Sequence, residues 1–452
     1  MPEIIEQENI QRRLHQVNEA LDSGMFVYVR KLLQDMPAYD LALFLESSPS
    51  KSRPVLWQLI DAEHHGEVLE ELNEEVRKGI LQSMRPEKLA AVAEGMDVDD
   101  IAEVLRTLPD TVYRKVLNSM DSQDRSRVET ALSYDEDTAG GIMNTDTITL
   151  RPEVSVDVVL RYLRLKGQLP DATDSFYVVD RNNRFIGAVS LAAIVTANSE
   201  VIISTLINAE IEAVQASIDE QEVAQLFEKH DWFSAPVIDK EGHLLGRITI
   251  DDVIDIIRED AEHSMMSMAG LDDEADTFAP VFQSTKQRSL WLGVNLITAL
   301  LAVAVTSMFE GIFQQLAILA VLNSLVPSMG GVAGNQTLTL VIRGMALGHV
   351  GNSNARALLN KEVAIGFLNG IIWALLIATV VAVWKQDLML GAVIAFAMLM
   401  NMTAAGLAGV AIPLFLKRID IDPALAGSVI ITTVTDVVGI FAFLGTATLL
   451  LT

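Results

Sequence analysis

The C-terminal part of the chain contains five apolar runs, each long enough to cross a lipid bilayer as a helix. A transmembrane helix needs about 20 such residues, and the second and fourth runs are longer, so we expect them to be tilted, kinked or broken. Because lipid cannot satisfy a polar backbone, these runs must form a helical bundle. They are Leu290–Met308, Ile312–Leu340, Val363–Val383, Leu388–Leu416 and Ala424–Leu451.

The charged residues are concentrated before these runs. The chain has 60 acidic and 33 basic residues, yet residues 286–452 hold only six acidic residues against eight basic ones. The preceding 285 residues therefore carry a net charge of −29, which argues against a nucleic-acid partner. The absence of cysteine excludes disulfides and thiolate metal sites. The polar segment Met1–Arg13 predicts no signal peptide.

Basic residues in the short loops predict the orientation. If the acidic part is cytoplasmic, the inner loops hold seven basic residues and the outer loops hold only Lys385. The positive-inside rule then predicts a multi-pass protein of the plasma (inner) membrane, with its N-terminus in the cytoplasm and its C-terminus outside. The seven residues are Lys286, Arg288, Arg343, Arg356, Lys361, Lys417 and Arg418.

One carboxylate falls in the middle of a run. Asp436 follows Ala424 by twelve residues, whereas the other acidic residues of this region, including Glu362, fall at run ends or in loops. A carboxylate at the bilayer centre costs several kcal/mol unless it is paired, hydrated or bound to a cation. Thr432 lies one turn earlier on the same face of the helix and would add its hydroxyl oxygen. If this hydroxyl perturbs the helix, it would also free a backbone carbonyl oxygen. Such hard oxygen ligands suit Mg²⁺ or Ca²⁺. The alternative is a protonated Asp436 that ties two helices together.

A homodimer would complete such a site. Five helices form a thin pore wall, and a two-fold axis would place two Asp436 carboxylates opposite each other. A divalent cation between them would relieve their repulsion. The glycine-rich segment 327–336 of the second run is a second candidate pathway element, because irregular backbone is tolerated where it lines a cavity. Its alternative is a tight helix crossing.

The acidic part contains an internal repeat. Residues 176–195 and 235–254 match at an offset of 59, so that Gly187 corresponds to Gly246. Each copy reads as a strand, a polar turn, a second strand and a short helix. The repeat resembles a tandem pair of CBS domains over Gly140–Arg258. Such pairs often bind an adenine nucleotide such as ATP through Thr or Ser followed three residues later by Asp.

The nucleotide pattern occurs once in this chain. Thr249 and Asp252 carry it in the second copy, whereas the first copy has Ser190 followed by Ala193 and lacks the acid. A helix N-cap formed by Thr249 is an equally good explanation of the same residues.

Residues 1–133 have short apolar blocks separated by turn signals, which predicts stacked helix hairpins in a small superhelix. Two acidic clusters stand out. Asp97, Asp99, Asp100 and Glu103 exceed what a helix start needs. The second cluster follows the repeat on one helix, where like charges four residues apart are destabilising without a counterion. A solvated helix face is the alternative for the second cluster, which comprises Asp251, Asp252, Asp255, Glu259, Asp260 and Glu262.

Divalent cations would stabilise a compact arrangement of this self-repelling region, and cations that bind the compact state more tightly shift the population towards it. The sequence therefore suggests negative feedback on cation entry. A membrane-bound enzyme is not expected, because the chain has no Walker A, Gly-x-Ser-x-Gly or His-Glu-x-x-His motif.

The whole layout resembles the MgtE magnesium channel family. Three parts of the chain resemble the motifs of this family. They are the segment YDEDTAGGIM (134–143), the second-run residues GG, GNQ and R between 330 and 343, and the last-run residues DPAL (422–425) and TD (435–436). The resemblance implies a homodimeric Mg²⁺ channel with Asp436 and backbone near Thr432 as pore ligands. It also implies a cytosolic sensor, whose acids correspond by position to Asp99, Asp100, Glu103, Asp231, Asp252, Asp255, Asp260 and Asp422.

The chain departs from the family pattern at three positions. Val332 and Ser428-Val429 stand where the family has polar residues, which leaves Co²⁺ or Mn²⁺ open as the conducted ion. Ser264 replaces an acid, which suggests fewer or weaker sensor ions. The same layout would also suit a coupled carrier, or a CBS signalling receptor whose helices serve as a membrane anchor.

The predicted fold is thus a multidomain membrane protein with an all-α superhelical N-terminal domain, an α/β tandem CBS pair and a five-helix transmembrane domain. We place the acidic helical domain at residues 1–133 and the CBS pair at 134–258. A connecting (plug) helix spans 259–285 and the transmembrane domain spans 286–452.

Overall fold

Short amphipathic helices build the N-terminal part of the computed structural model. The structure describes residues 15–451 apart from 18, 22, 35, 94–95, 109, 171, 209–210, 272–275, 352 and 420. Between residues 26 and 131 the helices are α1 (Phe26–Gln34), α2 (Ala38–Glu46), α3 (Arg53–Leu59), α4 (His65–Glu70), α5 (Glu74–Ser83), α6 (Pro86–Ala93), α7 (Val98–Arg106), α8 (Asp110–Ser119) and α9 (Ser122–Ala131), with a 3₁₀ turn at Ala62–His64.

These helices stack in an alternating pattern. From α1 with α3 to α7 with α9, most helices pack against the helix two positions further along the chain, which is the packing of a helical superhelix. Phe44, Leu45, Trp57 and Leu69 lie in their shared core. The predicted superhelical domain is confirmed.

Two similar α/β modules follow. The first contains β1 (Thr149–Leu150), α10 (Val156–Lys166), β2 (Ser175–Val179), β3 (Phe185–Ser190) and α11 (Leu191–Thr196), and a 3₁₀ turn at Ile203–Thr205. The second contains β4 (Val214–Gln215), α12 (Glu220–His230), β5 (Ser234–Ile238) and β6 (Leu244–Thr249), and leads into the long helix α13 (Ile250–Met268).

The two sheets have the same topology and register. Each has one parallel and one antiparallel strand pair, in the order β1-β2-β3 and β4-β5-β6. Val178 pairs with Gly187, and Val237 pairs with Gly246 at the equivalent place. The offset of 59 residues in the sequence is therefore a repeat in structure, and the predicted tandem pair is confirmed.

The membrane-type helices follow. They are α14 (Val281–Ser307), α15 (Glu310–Gln315), α16 (Ala317–Leu322), α17 (Leu325–Ala346), α18 (Ala355–Lys385), α19 (Leu388–Arg418) and α20 (Pro423–Leu451). Over the described residues, five helical stretches are long and apolar enough to cross a membrane, with α16 and α17 forming one of them. The predicted five-helix domain is confirmed. Helix α19 packs against α17, α18 and α20 and forms the centre of the bundle.

The described residues divide into two compact units. One comprises Met1–Ala261 and Glu274–Pro280, and the other comprises Glu262–Asp273 and Val281–Thr452.

The glycine-rich segment 327–336, a candidate pathway element if its backbone is irregular, is regular helix, which favours the alternative of a tight helix crossing. The segment lies inside the continuous helix α17, and the second apolar run is instead interrupted at Leu316 and at residues 323–324. A Cβ at Gly330 would clash with Asn401 of α19, and one at Gly334 would clash with Ile431 of α20. The glycines therefore allow three helices to approach closely, as expected for a tight helix crossing.

Glu362 was predicted to lie at a run end or in a loop, and this is wrong. It lies inside α18, and its side chain is 6% exposed. The Thr337 hydroxyl lies 3.4 Å from its Oε2, and Lys361 Nζ lies 3.4 Å from its Oε1. Asp436 is consequently not the only carboxylate enclosed by the membrane-type helices.

Candidate functional site

Helix α20 places Asp436 at the edge of the bundle. The buried stripe of this helix runs through Gly427, Ile431, Thr435 and Gly439, at helical spacing. Asp436 follows this stripe by one position and is half-buried in the single chain. No protein charge or hydrogen-bond donor acts on its carboxylate within the part of the chain that the structure describes. A carboxylate without a protein partner in such a helix needs water, a proton or a cation.

The hydroxyls near Asp436 bond to the helix itself. Thr432 Oγ1 donates to the Ser428 carbonyl oxygen at 2.9 Å. Thr435 Oγ1 lies 3.0 Å from the carbonyl oxygens of both Ile431 and Thr432. We expected the Thr432 hydroxyl to free a carbonyl oxygen, but the Thr432 carbonyl has gained a hydroxyl donor. A cation that binds this oxygen would have to compete with Thr435.

A cavity of about 440 Å³ lies beside this helix and reaches Thr432. A water molecule occupies about 30 Å³ in the liquid, so the cavity has room for a cation with its hydration shell. Its walls come from residues 267–271, from α14 and from the first turns of α20. The polar side chains among them are Ser267, Arg288, Asn295, Ser428 and Thr432.

Helix α7 presents the first acidic cluster. Val98, Ile101, Ala102 and Leu105 are buried, which leaves Asp99, Asp100 and Glu103 on the other side of the helix. Asp97 precedes the helix, and one carboxylate oxygen from each of Asp97, Asp99 and Asp100 lies within 4.8 Å of the others. Three carboxylates at this separation are a suitable ligand set for a hard divalent cation.

Helix α13, which follows the second α/β module, carries the second acidic cluster. Val253 and Ile256 lie in the core of the second module, and Asp252, Asp255 and Glu259, spaced i, i+3 and i+7, share a neighbouring face of the helix. Burial and the charges of Asp252 and Asp97 hold the pKa of Asp99 well above its usual range. Burial, Asp99 and Glu70 likewise raise the pKa of Asp100. The carboxylates of α7 and α13 therefore act on one another electrostatically.

The same effects extend along α13. Burial, together with the charges of Glu103 and Asp255, raises the pKa of Glu259 to about 7. Burial also raises the pKa of Asp252 and of Asp255, in each case with repulsion from Asp251. Several of these carboxylates thus have raised pKa values because burial and neighbouring negative charges disfavour their ionised forms.

Two arginines supply part of that charge. Arg77 of α5 is 6% exposed and donates two hydrogen bonds to the carboxylate of Glu103. Arg258 Nη2 lies 3.0 Å from Asp255 Oδ1, with both side chains 55% exposed. Glu103, which the sequence suggested as a metal ligand, therefore already has a cationic partner.

The remaining predicted sensor residues make their contacts outside this cluster. Asp231 ends α12 in the left-handed conformation and is exposed. Asp260 accepts a hydrogen bond from Gln221 Nε2 at 2.9 Å. Asp422 lies in the second unit, where it caps α20 through Ala424 N and Leu425 N, and its Oδ2 lies 3.2 Å from His263 Nε2.

Three acids of the first unit were not singled out from the sequence. Burial and Asp97 raise the pKa of Glu70 to about 7, and burial and Asp137 do the same for Glu220. Burial also raises the pKa of Glu136. Each of the three has acidic neighbours in sequence, as exposed acids commonly do, so no local pattern reveals that it is buried.

The candidate nucleotide residues bond to each other. The Thr249 hydroxyl and backbone N–H both donate to Asp252 Oδ2, at 2.9 and 3.1 Å. This is the carboxylate half of a capping box at the start of α13. In the first module Ser190 caps α11 by accepting from Ala193 N. The two copies thus share a capping function, and only the second adds a carboxylate.

The α7–α13 cluster, defined as Asp97, Asp99, Asp100, Asp252, Asp255 and Glu259, fits a divalent cation chemically. All its ligand atoms are hard oxygens, and Asp99 Oδ1 is a buried atom without a hydrogen-bond partner. A bound cation would satisfy this oxygen and would favour the ionised form of every neighbouring acid.

Known proteins match the chain along most of its length. The family described as "Divalent cation transporter" (MgtE) matches residues 323–446. The "MgtE intracellular N domain" matches residues 36–137, and the CBS domain matches residues 139–200 and 203–259. The three matches follow one another in the order that the fold shows.

Two curated relatives span nearly the whole chain. The magnesium transporter MgtE of Enterococcus faecalis is 29% identical over 434 residues, covering 95% of each chain. That of Thermus thermophilus is 29% identical over 442 residues, covering 96% of this chain and 98% of the relative.

A solved structure resembles the first unit. The cytosolic domain of the Mg²⁺ channel MgtE, crystallised in complex with ATP, aligns with a TM-score of 0.50 and 29% identity, over 54% of this chain and 99% of that one. The consecutive family matches, the full-length relatives and this likeness show that the chain is similar to MgtE magnesium transporters along nearly its whole length.

Proposed function

We propose that this chain is a Mg²⁺-selective channel that admits Mg²⁺ to the cytoplasm and closes when cytosolic Mg²⁺ binds between its acidic domains. The observation that carries the proposal is the carboxylate of Asp436, which is half-buried on a membrane-type helix without a protein partner. The magnesium transporters that align with nearly the full length of the chain support Mg²⁺ as the substrate.

The pore assignment follows from hard-ligand chemistry. Asp436 would attract the cation, and the Thr432 carbonyl or its hydration shell would complete the contact. Mg²⁺ gives up water reluctantly and usually retains several water molecules, so one or two carboxylates are enough to hold it. The cavity beside Thr432 supports a hydrated ion at this place.

We propose a homodimer because a single chain leaves the site incomplete. Asp436 lies at the bundle edge, and α14 has no buried residue among those the structure describes. A two-fold partner would bring a second Asp436 to the same cation and cover apolar helix surface. The mass of the purified protein, corrected for detergent, tests this: a value near 49.4 kDa would contradict the dimer.

The sensor proposal rests on the α7–α13 cluster. Without cations its carboxylates repel one another, and a divalent ion between α7 and α13 would stabilise the arrangement that brings them together. Asp99, Asp100 and Asp252 are the proposed principal ligands, with Asp255 and Glu259 beside them. Asp231, Asp260 and Asp422 remain proposed ligands of further ions.

Several parts of the proposal rest on the sequence or on the relatives. We retain the division at residues 133, 258 and 285, the cytoplasmic N-terminus and the outer C-terminus. A nucleotide such as ATP is proposed at Thr249 and Asp252, supported by the ATP complex of the aligned cytosolic domain. In this chain Asp252 also faces the acidic cluster, so nucleotide and cation would influence each other.

A second candidate function is transport of Co²⁺ or Mn²⁺, by a channel or a coupled carrier. Val332 on α17 is 57% exposed in the single chain, and Ser428 lines the cavity beside Thr432. An apolar side chain in place of a polar one would alter the contacts of a hydrated ion.

The test is cation uptake by proteoliposomes that contain the purified protein. We expect Mg²⁺ uptake in the wild type, uptake reduced at least tenfold in Asp436→Asn, and lower wild-type uptake when Mg²⁺ is loaded on the cytosolic side. Asp387→Asn is the matched control, because Asp387 lies at the start of α19, where its carboxylate accepts hydrogen bonds from Met389 N and Leu390 N and asparagine can do the same.

Competition with Co²⁺, Mn²⁺ and Ca²⁺ identifies the conducted ion. Folded protein that carries Co²⁺ or Mn²⁺ but no Mg²⁺ would replace the proposal by the second candidate. Undiminished Mg²⁺ uptake in Asp436→Asn would remove Asp436 from the pathway.

A further inference from the structure

A buried ion pair connects the helical domain to the segment before the first membrane-type helix. Arg53 opens α3, and its Nη1 and Nη2 lie 2.5 and 2.8 Å from the two carboxylate oxygens of Asp276. The two side chains are 7% and 6% exposed, so the pair is almost completely shielded from solvent. Both residues belong to the first compact unit, although 223 positions separate them in sequence.

Further hydrogen bonds fix both partners. Arg53 Nε donates to the Leu45 carbonyl oxygen at 2.9 Å, and Nη2 donates to that of Glu46 at 3.0 Å. The backbone N–H of Asp276 donates to Glu75 Oε2 at 2.5 Å. Thus α3 and α5 contact Asp276 directly, and α2 fixes the guanidinium of Arg53, a degree of organisation that a loose linker would lack.

The position of Asp276 gives the ion pair its significance. It precedes Val281, the first residue of α14, by five residues. In the sequence, the helical domain reaches α14 only after both α/β modules and α13. The Arg53–Asp276 pair gives the helical domain a direct contact with the segment before α14, in addition to the covalent route through the two α/β modules and α13.

We propose that Arg53 and Asp276 form a latch that couples the helical domain to the first membrane helix and favours the Mg²⁺-closed state. The proposal rests on the proposed function. The helical domain carries the cation-binding side of α7, and the latch holds the segment before α14 to that same domain. Cation binding and the latch therefore stabilise one arrangement, which is the requirement for coupling between two sites.

The chemistry of the pair makes the latch specific. A guanidinium and a carboxylate meet through two parallel hydrogen bonds, which lysine cannot reproduce. A buried charge that loses its partner is strongly unfavourable. Removing either charge should therefore release the segment around Asp276 from the helical domain.

The first test is transport by the full-length protein in proteoliposomes with increasing Mg²⁺ on the cytosolic side. Arg53→Lys and Asp276→Asn should each raise the Mg²⁺ concentration that halves uptake by about tenfold, with uptake from Mg²⁺-free vesicles preserved. The exchanged pair Arg53→Asp with Asp276→Arg should recover part of the shift. Arg30→Lys is the matched control, because its ion pair with Asp61 is solvent-exposed, with side chains 55% and 26% exposed.

The second test does not depend on transport. The chain has no native cysteine, so Arg53→Cys with Asp276→Cys gives a clean pair for a short thiol cross-linker. We expect the purified full-length protein to cross-link faster with Mg²⁺ than after chelation. Equal rates, or folded single variants with unchanged Mg²⁺ inhibition, would overturn the latch. Mg²⁺-dependent cross-linking without Mg²⁺ uptake would support the latch and reject the proposed function.

Discussion

At the residue scale, Arg77 shows how a single side chain sets the charge of the acidic cluster. Its guanidinium is almost fully buried, pairs with Glu103 and lowers the pKa of both Asp255 and Glu259 against the effect of burial. It therefore does part of what a bound divalent cation would do. Glu103 is better described as the partner of a tethered cation than as a free metal ligand.

Replacing Arg77 by glutamine should strengthen Mg²⁺ inhibition. The change leaves one more uncompensated negative charge near Asp255 and Glu259, and partly buried charges about 4 Å apart interact by about 1–4 kcal/mol. We expect the cytosolic Mg²⁺ concentration that halves uptake to fall by about tenfold, measured in proteoliposomes.

Arg258→Gln is the control for this prediction. Arg258 also lies beside Asp255, but both side chains are largely exposed, and such pairs contribute only about 0–1 kcal/mol. The control should therefore shift inhibition by about threefold at most. A higher Mg²⁺ requirement in Arg77→Gln than in the wild type would show that Arg77 supports the closed state instead.

At the element scale, glycines determine how closely the helices of the membrane bundle approach. A Cβ at Gly409 of α19 would lie 3.0 Å from the Gly334 carbonyl oxygen on α17, and one at Gly406 would meet the Glu362 carbonyl group on α18. These contacts involve backbone, which cannot move aside as a flexible side chain can. The positions of α17 and α18 against α19 depend on them, and Gly334 in turn packs against Ile431 of α20.

Gly334→Ala should therefore impair the protein despite the higher helix propensity of alanine. The added methyl group would clash with Ile431, and overpacking of this kind costs about 1–3 kcal/mol. We expect a lower melting temperature in detergent and uptake reduced severalfold.

Gly293→Ala is the comparison, since among the described residues no atom outside the surrounding turns of α14 lies within 4 Å of a Cβ built at Gly293. It should leave both readouts unchanged or slightly improved. Similar losses in both variants would mean that helix crossing at Gly334 is not the cause.

At the scale of the whole molecule, protons and Mg²⁺ should each stabilise the cation-free protein, and they should compete for the same carboxylates. Burial raises the pKa of Glu70, Glu220 and Glu259 to about 7. An unfolded chain would release these protons near pH 4.5, so the folded state without cations retains more protons between about pH 4.5 and pH 7. Stability from these groups is complete below the unfolded pKa and is lost as the pH rises through the folded pKa.

We predict that the cation-free protein loses thermal stability as the pH rises from about 4.5 to 7. Excess Mg²⁺ should restore it most strongly at the upper end, because the ion competes with the bound protons. Differential scanning fluorimetry of the full-length protein in detergent, with Mg²⁺ or with chelator, gives the comparison. Equal Mg²⁺ stabilisation at both pH values would contradict the cluster as the binding site.

Much of the architecture follows from local sequence. The five membrane-type helices depend on length and hydropathy, and the tandem modules depend on a repeat whose members are 59 residues apart, so both can be read without knowing any contact. The acidic face of α7 and that of α13 also follow from helical periodicity, which separates Asp99 and Asp252 from the buried apolar residues of their helices. The residues that line the pore and the sensor stay predictions, as does the assignment of Asp436.

Pairings between distant segments required the tertiary structure. Arg77 with Glu103 and Arg53 with Asp276 are pairs that no pattern in the sequence connects, and Glu362 is enclosed only because α17 and α19 pack around it. Hydropathy and periodicity report what each segment buries, but not which partner covers it. The sequence therefore determined the helices, the repeat and the excess of negative charge. The tertiary structure decided which charges meet, because that depends on packing between elements far apart in the chain.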